Sequence, residues 1–347
     1  VYILGAGFSM DSGAPSQAKL VKEIYDLKGQ FSKVQNRKID SWLKELDAFL
    51  LNGLNVSESE KFYYALEDVY TPIDKCINEN NSFKDYSVQK LIEIRDNINR
   101  LIILAIRNAI NKNSIAKTNI EKFAIHILNI ARERLTDEKK DLVSVITTNW
   151  DIMLDNYIYK LLSEEKKEKG EHFKGVVDYC CYISSLDEDD HSIKPGLYAL
   201  GRKGYNIKLL KLHGSLNWMQ CPNCQRLYVK FYRKFNGGYV FGKKYCRHCV
   251  RNFNLNKDTS IQLGVNLIMP TFLKNLNNIQ NKLIWQNSAI EISEASKIVF
   301  IGYSLPLADF EFKQMLSRMT RKTVEIEVYL IDDDNPDKYI NNAKYQT

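Results

Sequence analysis

The sequence predicts an α/β fold: a doubly wound, Rossmann-like parallel sheet with a large helical insertion and a small zinc-ribbon-type module. Three observations support this prediction. Apolar runs that end in glycine or polar residues alternate with amphipathic stretches. A helical period persists from Phe31 to Leu135, over roughly a hundred residues. Two Cys-x-x-Cys pairs follow, with 21 residues between them.

The first element is the apolar run Val1–Leu4, which predicts a buried strand ending in the turn Gly5-Ala6-Gly7. Without a Cβ, such a turn brings backbone N–H groups close to a pyrophosphate, so the implied ligand is a dinucleotide. Met10 stands where the usual fingerprint has a third glycine, and a purely structural turn has the same residues. Pro15 then favours a helix over Ser16–Leu27.

We predict that the core consists of residues 1–30, 136–218 and 262–347, interrupted by a helical insertion at 31–135 and by the module at 219–261. The insertion forms either a layer over the nucleotide crevice or an oligomer contact, and the sequence leaves both open. His126 lies among apolar helical residues and is interpreted as structural. Because the sequence begins at Val1, inside a strand, we expect that residues before it have been lost.

Four further strands are predicted, and each is followed by a polar residue. They are Leu142–Thr147 before Asn149, Leu209–Leu212 before His213, Lys297–Tyr303 before Ser304, and Val324–Ile331 before Asp332. Ligands of an open parallel sheet bind outside the carboxyl ends of its strands, so these residues are expected to surround a ligand. Asp151 is expected to cap the helix that follows Asn149.

Asn149 and His213 are the candidates for chemistry. The Asn149 amide can hold a water molecule or a carboxamide without adding charge, although an asparagine after a strand also serves as a simple turn residue. His213 precedes Gly214 at a strand end, and the pKa of an imidazole lies near physiological pH. His213 is therefore able to accept a proton from a ribose hydroxyl or from water.

The four cysteines of the two pairs, Cys221, Cys224, Cys246 and Cys249, have the spacing of a tetrahedral zinc site. Nothing implies an open coordination position, so the predicted Zn²⁺ is structural; a redox dithiol is the alternative. Cys76, Cys180 and Cys181 lack ligand spacing and are interpreted as buried thiols. Seven cysteines without a disulfide-type composition indicate a reducing, cytoplasmic location.

Composition and charge limit the other possibilities. With 347 residues, 44% of them hydrophobic, the chain can form a sizeable core, and its longest apolar run, Leu101–Ile106, is too short to span a membrane. The net charge is +7, and eight Lys or Arg residues with no Asp or Glu lie between Met219 and Arg251. Aromatic residues are interleaved in the loop at 225–251, which suits single-stranded nucleic acid, an acidic protein surface or a merely solvated face.

Five short motifs occur in the order in which the sirtuin family has them. They are Gly5-Ala6-Gly7-Phe8-Ser9 with Ser12-Gly13-Ala14-Pro15, Thr147-Thr148-Asn149-Trp150-Asp151, His213-Gly214-Ser215, the Cys pairs, and Gly302-Tyr303-Ser304-Leu305-Pro306. The chain resembles the divergent bacterial branch of this family, the NAD-consuming effectors of anti-phage defence. The resemblance implies NAD⁺ as substrate, structural Zn²⁺, and Asn149 and His213 as catalytic residues. Its implied cofactor-binding residues are Gly5, Ala6, Gly7, Ser9, Ala14, Pro15, Asn149, Asp151, Gly302, Ser304 and Asp332.

We therefore expect an NAD⁺ hydrolase that releases nicotinamide and ADP-ribose. Deacetylases of the family continue the first motif with a Phe-Arg pair, but Ser16-Gln17 follows Pro15 here. The segment that pins an acetyl-lysine peptide is likewise not recognisable at Ile268–Phe272. An NAD-dependent deacylase or ADP-ribosyl transferase is one alternative, and a non-catalytic module that senses nucleotides or binds nucleic acid is another.

An effector that depletes NAD⁺ harms its host when it is always active, so we expect a regulatory partner. The resemblance implies a hexameric translocase-type ATPase, an argonaute-like protein or a phage protein in this role. A homo-oligomer formed through the helical insertion is also expected.

Overall fold

The computed structural model describes residues 1–10, 12–112, 118–137, 139–140, 143–170, 175–186, 204–230, 240–242, 244–253 and 262–330. Within these ranges the chain has ten strands and ten α-helices. The strands are β1 (Tyr2–Leu4), β2 (Ser144–Thr147), β3 (Gly175–Asp178), β4 (Ile183–Ser185), β5 (Tyr205–Lys211), β6 (Gly214–Gln220), β7 (Leu227–Val229), β8 (Gly264–Leu267), β9 (Lys297–Ile301) and β10 (Glu325–Tyr329). The helices are α1 (Ala6–Met10), α2 (Gln17–Tyr25), α3 (Lys33–Ala48), α4 (Leu66–Glu79), α5 (Val88–Lys112), α6 (Thr118–Arg132), α7 (Met153–Lys169), α8 (Arg247–Phe253), α9 (Ile279–Glu294) and α10 (Phe310–Met319).

Six parallel strands form the central sheet in the order β10-β9-β1-β2-β5-β3, which confirms the predicted fold class. Leu4 at the end of β1 is in register with Thr147 on one side and with Ile301 on the other. Thr147 is in turn in register with Lys211 at the end of β5. The carboxyl ends of β9, β1, β2 and β5 therefore lie side by side at one edge of the sheet.

All five strands predicted from the sequence belong to this sheet, and β3 is an addition. β3 has only two apolar residues, and it follows a strongly charged stretch of the sequence. Its pairing with β5 makes it an edge strand of the sheet all the same, and Gly175, Val176 and Val177 are buried. Tertiary packing, not local propensity, decides this strand.

A second sheet has the order β4-β7-β6-β8 and pairs β6 antiparallel with both β7 and β8. Three of its strands have only three or four residues, and β6 buries the polar side chains of Ser215 and Asn217. For these reasons the apolar pattern of the sequence does not indicate it. The sheet joins strands from both sides of the boundary predicted at residue 219.

The insertion is helical, as predicted, and contains α3 to α6. The side chain of Ser32 accepts from Gln35 N in a capping box that starts α3. α5 lies at the centre of the insertion, because residues 101–105 are buried all round the helix and α2, α3 and α4 pack against it. α6 packs on α7 and β5, so the insertion also covers part of the central sheet. Among the described helices, none is both long and apolar enough to cross a membrane.

Candidate active site

Asn149 and His213 lie at the same edge of the central sheet. Asn149 Nδ2 donates to Gly5 O at 2.8 Å, which ties the end of β2 to the end of β1. Leu212 N donates to Thr147 O at 3.0 Å, which ties the end of β5, just before His213, to the end of β2. The structure thus brings the two candidate residues together, while their catalytic roles stay a prediction.

The Asn149 amide is held in one orientation. Its Nδ2 also lies 3.3 Å from Ser9 Oγ, and its backbone N–H donates to Thr147 Oγ1 at 3.1 Å. Both donors of the residue are therefore used inside the protein. Its Oδ1 has no hydrogen-bond partner among the described residues, and so an acceptor remains for a ligand or a water molecule.

His213 is buried and close to opposite charges. Its Nε2 lies 3.3 Å from Asp309 Oδ1 without the geometry of a hydrogen bond. The main chain of Thr148 favours the charged ring, and Nε2 has no hydrogen-bond partner among the described residues. Burial lowers the pKa of His213, Asp309 opposes this effect and Lys274 adds to it. His213 is therefore uncharged at neutral pH and can act as a base.

Asp309 and Lys274 are site residues that the sequence analysis missed. Asp309 Oδ2 accepts from the Tyr303 hydroxyl at 2.9 Å, and its Oδ1 lies 3.3 Å from the fully buried Lys274 Nζ. Lys274 Nζ also lies 3.2 Å from a carboxylate oxygen of Glu311 and donates to the Ala308 carbonyl. Asp309 precedes α10 in a polar turn, where an aspartate is an ordinary helix-start residue, so no sequence signal separated it from a cap.

The glycine turn is packed against backbone. A Cβ on Gly5 would lie 2.5 Å from Tyr303 Cα, and a Cβ on Gly302, whose φ is +62°, would lie 2.3 Å from Phe8 N. Gly5 N donates to Ile301 O and Gly7 N to Gly302 O, at 3.0 and 2.9 Å. Phe8 N donates to Gly5 O within the first turn of α1. These three N–H groups are all used in hydrogen bonds within the protein. The close approach of two chain segments is sufficient to explain why these positions are glycines.

The other predicted ligand residues lie around this turn. Ala6 is exposed at the start of α1, and Ser304 is exposed after β9. Ala14 N donates to Ser9 O at 3.2 Å, which folds the segment ending at the half-buried Pro15 back against α1. Asp151 Oδ1 accepts from Met153 N at 3.0 Å, but the N-cap residue of α7 is Ile152 and not Asp151 as predicted. Asp332 lies outside the described residues.

A buried ion pair fixes the end of β5 next to His213. Lys211 Nζ lies 3.0 Å from Asp155 Oδ2 and donates to Asp151 O at 2.6 Å, and both side chains are almost completely buried. The Tyr179 hydroxyl donates to the other oxygen of Asp155 at 2.8 Å. These contacts join β5 to α7 and hold the residues on either side of the site.

The insertion packs against the first elements of the core, and whether it covers a nucleotide crevice or forms an oligomer contact stays a prediction. Gln17 Nε2 donates to Glu67 Oε1 of α4, and burial raises the pKa of the Glu67 carboxyl. Phe123 of α6 packs edge-on against Phe8, with ring centroids 5.1 Å apart. His126, interpreted as structural, lies 2.8 Å from the Tyr2 hydroxyl. The helical insertion is thus in contact with β1, α1 and α2.

The four predicted zinc ligands form a cluster in which their sulfur atoms all lie within 4.8 Å of one another. Cys221 Sγ lies 3.7 Å from Cys249 Sγ, and Cys224 Sγ lies 3.6 Å from Cys246 Sγ. Four thiolates at roughly 2.3 Å from a tetrahedral Zn²⁺ have nearly this separation. The cluster fits a structural zinc ion, and Asn149 and His213 belong to another part of the molecule.

The basic loop is only partly described. Tyr228 is buried with its hydroxyl 3.3 Å from Cys246 Sγ, and Phe241 stacks on Trp42 of the insertion at 5.8 Å between centroids. These two aromatic rings serve packing. Phe231, Tyr232, Phe235 and Tyr239, which the nucleic-acid hypothesis also uses, lie outside the described residues.

The chain is similar to several solved structures, all of them at low sequence identity. No protein-family model matches the sequence, and no curated protein matches it. Solved sirtuin structures match over 98% of the chain: one on the structural basis of sirtuin substrate affinity (15% identity, 84% of that chain, TM-score 0.36), one of Sir2 with a p53 peptide and NAD⁺ (15%, 83%, 0.34), and one of a mutant Sir2 homologue with ADP-ribose (14%, 82%, 0.40).

Proposed function

We propose that this chain hydrolyses NAD⁺ to nicotinamide and ADP-ribose and acts as a regulated, NAD-depleting effector of bacterial anti-phage defence in the cytoplasm. The observation that carries the proposal is the meeting of Asn149 and His213 at one edge of the sheet. An uncharged amide oxygen and a neutral imidazole there suit a sugar carbon that becomes positive during the reaction. The order of the sequence motifs supports NAD⁺ as the substrate.

Hydrolysis breaks the C–N bond between ribose and nicotinamide, and the bonding electrons leave with the nicotinamide nitrogen. A water oxygen adds to the same sugar carbon and loses a proton. Asn149 Oδ1 can hold the water molecule or the carboxamide, because its donors are already occupied. His213 Nε2 accepts the proton, and the Asp309 carboxylate stabilises the imidazolium that forms.

The burial of His213 Nε2 supports control by a partner. Nε2 is closed off from solvent and faces Asp309, so substrate reaches it only when the segment that carries Asp309 moves. A partner that moves this segment, or the insertion packed beside it, would switch activity on. A hexameric translocase-type ATPase, an argonaute-like protein or a phage protein would serve in this role, as would assembly of the chain into a homo-oligomer.

The test is to incubate purified protein with NAD⁺ and to separate the products by chromatography, with and without candidate activators. We expect nicotinamide and ADP-ribose in equal amounts, and a loss of rate of about 100-fold or more in His213→Ala, because a general base contributes at least this much. Asn149→Ala should also be strongly impaired. His126→Ala and Asn129→Ala, which change exposed residues of the same types, are the matched controls and should retain the rate.

Other outcomes separate the alternatives. Nicotinamide release that requires an acyl-lysine peptide or an acceptor protein would indicate a deacylase or an ADP-ribosyl transferase. Tight NAD⁺ binding without turnover under any condition would indicate a sensing module. Turnover that is equal in wild type, Asn149→Ala and His213→Ala would show that the assignment is wrong.

A further inference from the structure

A cavity of about 350 Å³ opens where the insertion, the cysteine module and the start of α9 meet. α5 forms one wall, the chain around Cys221 and Gly264 forms another, and the segment 267–281 closes it. Neither Asn149 nor His213 belongs to its lining. Its volume lies within the range of small-molecule sites, roughly 300–1,000 Å³.

Side-chain amides dominate the lining, which includes five asparagines and three glutamines. Several of them are held in place by the protein. Asn99 Oδ1 accepts from the Tyr70 hydroxyl at 2.7 Å, and Asn278 Nδ2 donates to Gln220 Oε1 at 3.1 Å. The Asn278 amide is fully used within the protein, because its Nδ2 also donates to Gln225 O at 3.3 Å and its Oδ1 accepts from Gln280 N. Asn99 Nδ2 and Gln220 Nε2 have no hydrogen-bond partner among the described residues, and such fixed donors suit the hydrogen-bonding edge of a nucleobase.

Asn281 gives the clearest indication of a ligand. The residue is only 4% exposed, and its Oδ1 has no hydrogen-bond partner within the described part of the chain. A buried acceptor left without a donor costs about 1–3 kcal/mol, so most such groups have a partner. A ligand N–H in the cavity would supply one.

Two guanidinium groups of α5 add positive charge to the same wall. Arg95 Nε donates to Asp74 Oδ1 at 2.6 Å. Arg100 donates to Asn97 Oδ1 at 2.8 Å and lies over the Trp42 ring. Each has further N–H groups for a ligand. Asp96 lies between them, and burial raises the pKa of its carboxyl against the effect of both arginines. Arg100 has no carboxylate partner among the described residues, so its guanidinium can bind an anion at this wall.

We propose that this cavity is a second ligand site, which binds a nucleoside monophosphate with its base against Asn281 and its phosphate at Arg95 and Arg100. The volume suits one base, one ribose and one phosphate. The site is separate from the proposed catalytic edge, and its existence does not depend on NAD⁺ hydrolysis.

One stretch of chain forms a shared wall between the two sites. Ile268, which lines the cavity, donates its N–H to His213 O at 2.9 Å, and its carbonyl accepts from Trp150 Nε1 at 3.2 Å. A ligand that moves Ile268 therefore moves the backbone on which His213 is held. Occupancy of the cavity is in this way linked to the catalytic edge.

The experiment is calorimetric titration of the full chain with AMP, GMP, CMP and UMP, and with adenosine as the probe that lacks phosphate. We expect at least one nucleotide to bind, and Asn281→Ala and Arg100→Gln each to weaken it about tenfold, as expected for one lost hydrogen bond to a polar or charged group. Arg100→Gln should leave adenosine binding unchanged. Gln286→Ala on the exposed face of α9 and Arg37→Gln on α3 are the matched controls.

Asn149→Ala distinguishes the cavity from the catalytic edge, because AMP is a fragment of NAD⁺. Nucleotide binding that persists in Asn149→Ala and weakens in folded Asn281→Ala supports the proposal. Binding that is lost in Asn149→Ala but kept in Asn281→Ala and Arg100→Gln overturns it. Absence of binding for all four nucleotides at millimolar concentration also overturns it.

Discussion

The ends of β1 and β5 lie at the same edge of the sheet but use their polar groups differently. After β1, the N–H groups of Gly5, Gly7 and Phe8 all donate to backbone carbonyls, and the glycines allow two chain segments to touch. After β5, His213 keeps a nitrogen without a hydrogen bond beside a carboxylate and a buried ammonium. The comparison teaches that the glycine motif supports the architecture, while the capacity for chemistry lies with the histidine.

The largest effect on stability is expected at the end of β5, where the buried ion pair between Lys211 and Asp155 lies. Lys211→Met removes the partner of the buried Asp155 carboxylate and should lower the free energy of unfolding by about 3–5 kcal/mol, the usual cost of breaking a buried pair. Urea denaturation followed by circular dichroism measures it. Lys160→Met, which removes an exposed lysine 3.9 Å from Glu121, is the control and should change stability by less than about 1 kcal/mol. Equal effects of the two substitutions would contradict the role given to the buried pair.

A somewhat smaller effect on stability is expected at the end of β1, where the glycine turn packs against Gly302. Gly302→Ala should cost about 2–4 kcal/mol, because the new Cβ meets the backbone of Gly7 and Phe8 in addition to the strain of a positive φ. Gly29→Ala, at φ +78° with nothing within 4 Å of the new Cβ, carries the strain alone and should cost about 1–2 kcal/mol. The difference between the two unfolding free energies isolates the close approach. If the two substitutions lower the free energy of unfolding equally, the close approach of Gly302 to Gly7 and Phe8 does not contribute to stability.

The smallest effect concerns the acidic limb of the pH–activity profile. Because the pKa of His213 is lowered, its neutral form persists below pH 6.5, and activity should fall only at more acidic pH. Asp309→Asn removes a group that raises this pKa and should move the limb further down, whereas Lys274→Met removes a group that lowers it and should move the limb up. Each shift should be about one pH unit in kcat/KM, the size expected of a close charge.

The lowered pKa of His213 also makes the stability of the protein depend on pH. Below pH 6.5 the unfolded chain binds a proton at His213 that the folded chain resists, so this residue's contribution to stability decreases as the pH falls.

Glu311 is a further carboxylate near His213, Asp309 and Lys274. It raises the pKa of His213 and is retained in both the Asp309 and the Lys274 variant. Limbs that move in the same direction in Asp309→Asn and Lys274→Met would contradict the assignment of the base.

The sequence predicted the parts that depend on local pattern. β1, β2, β5, β9 and β10 have apolar runs, the cysteine spacing indicated the cluster, and the rule that parallel strands end at one edge placed Asn149 beside His213. The sequence could not predict Asp309 and Lys274 as neighbours of His213, since they are 96 and 61 residues away along the chain, in turns without periodicity. Nor could it show that Gly302 supplies the acceptor for the glycine turn.

A crystal structure of the chain with ADP-ribose tests the central claim most directly. We predict that the ribose carbon released from nicotinamide lies within reach of Asn149 Oδ1 and His213 Nε2, with Asp309 displaced from Nε2. Electron density for ADP-ribose anywhere else, with Asn149 and His213 out of reach of that carbon, would contradict it.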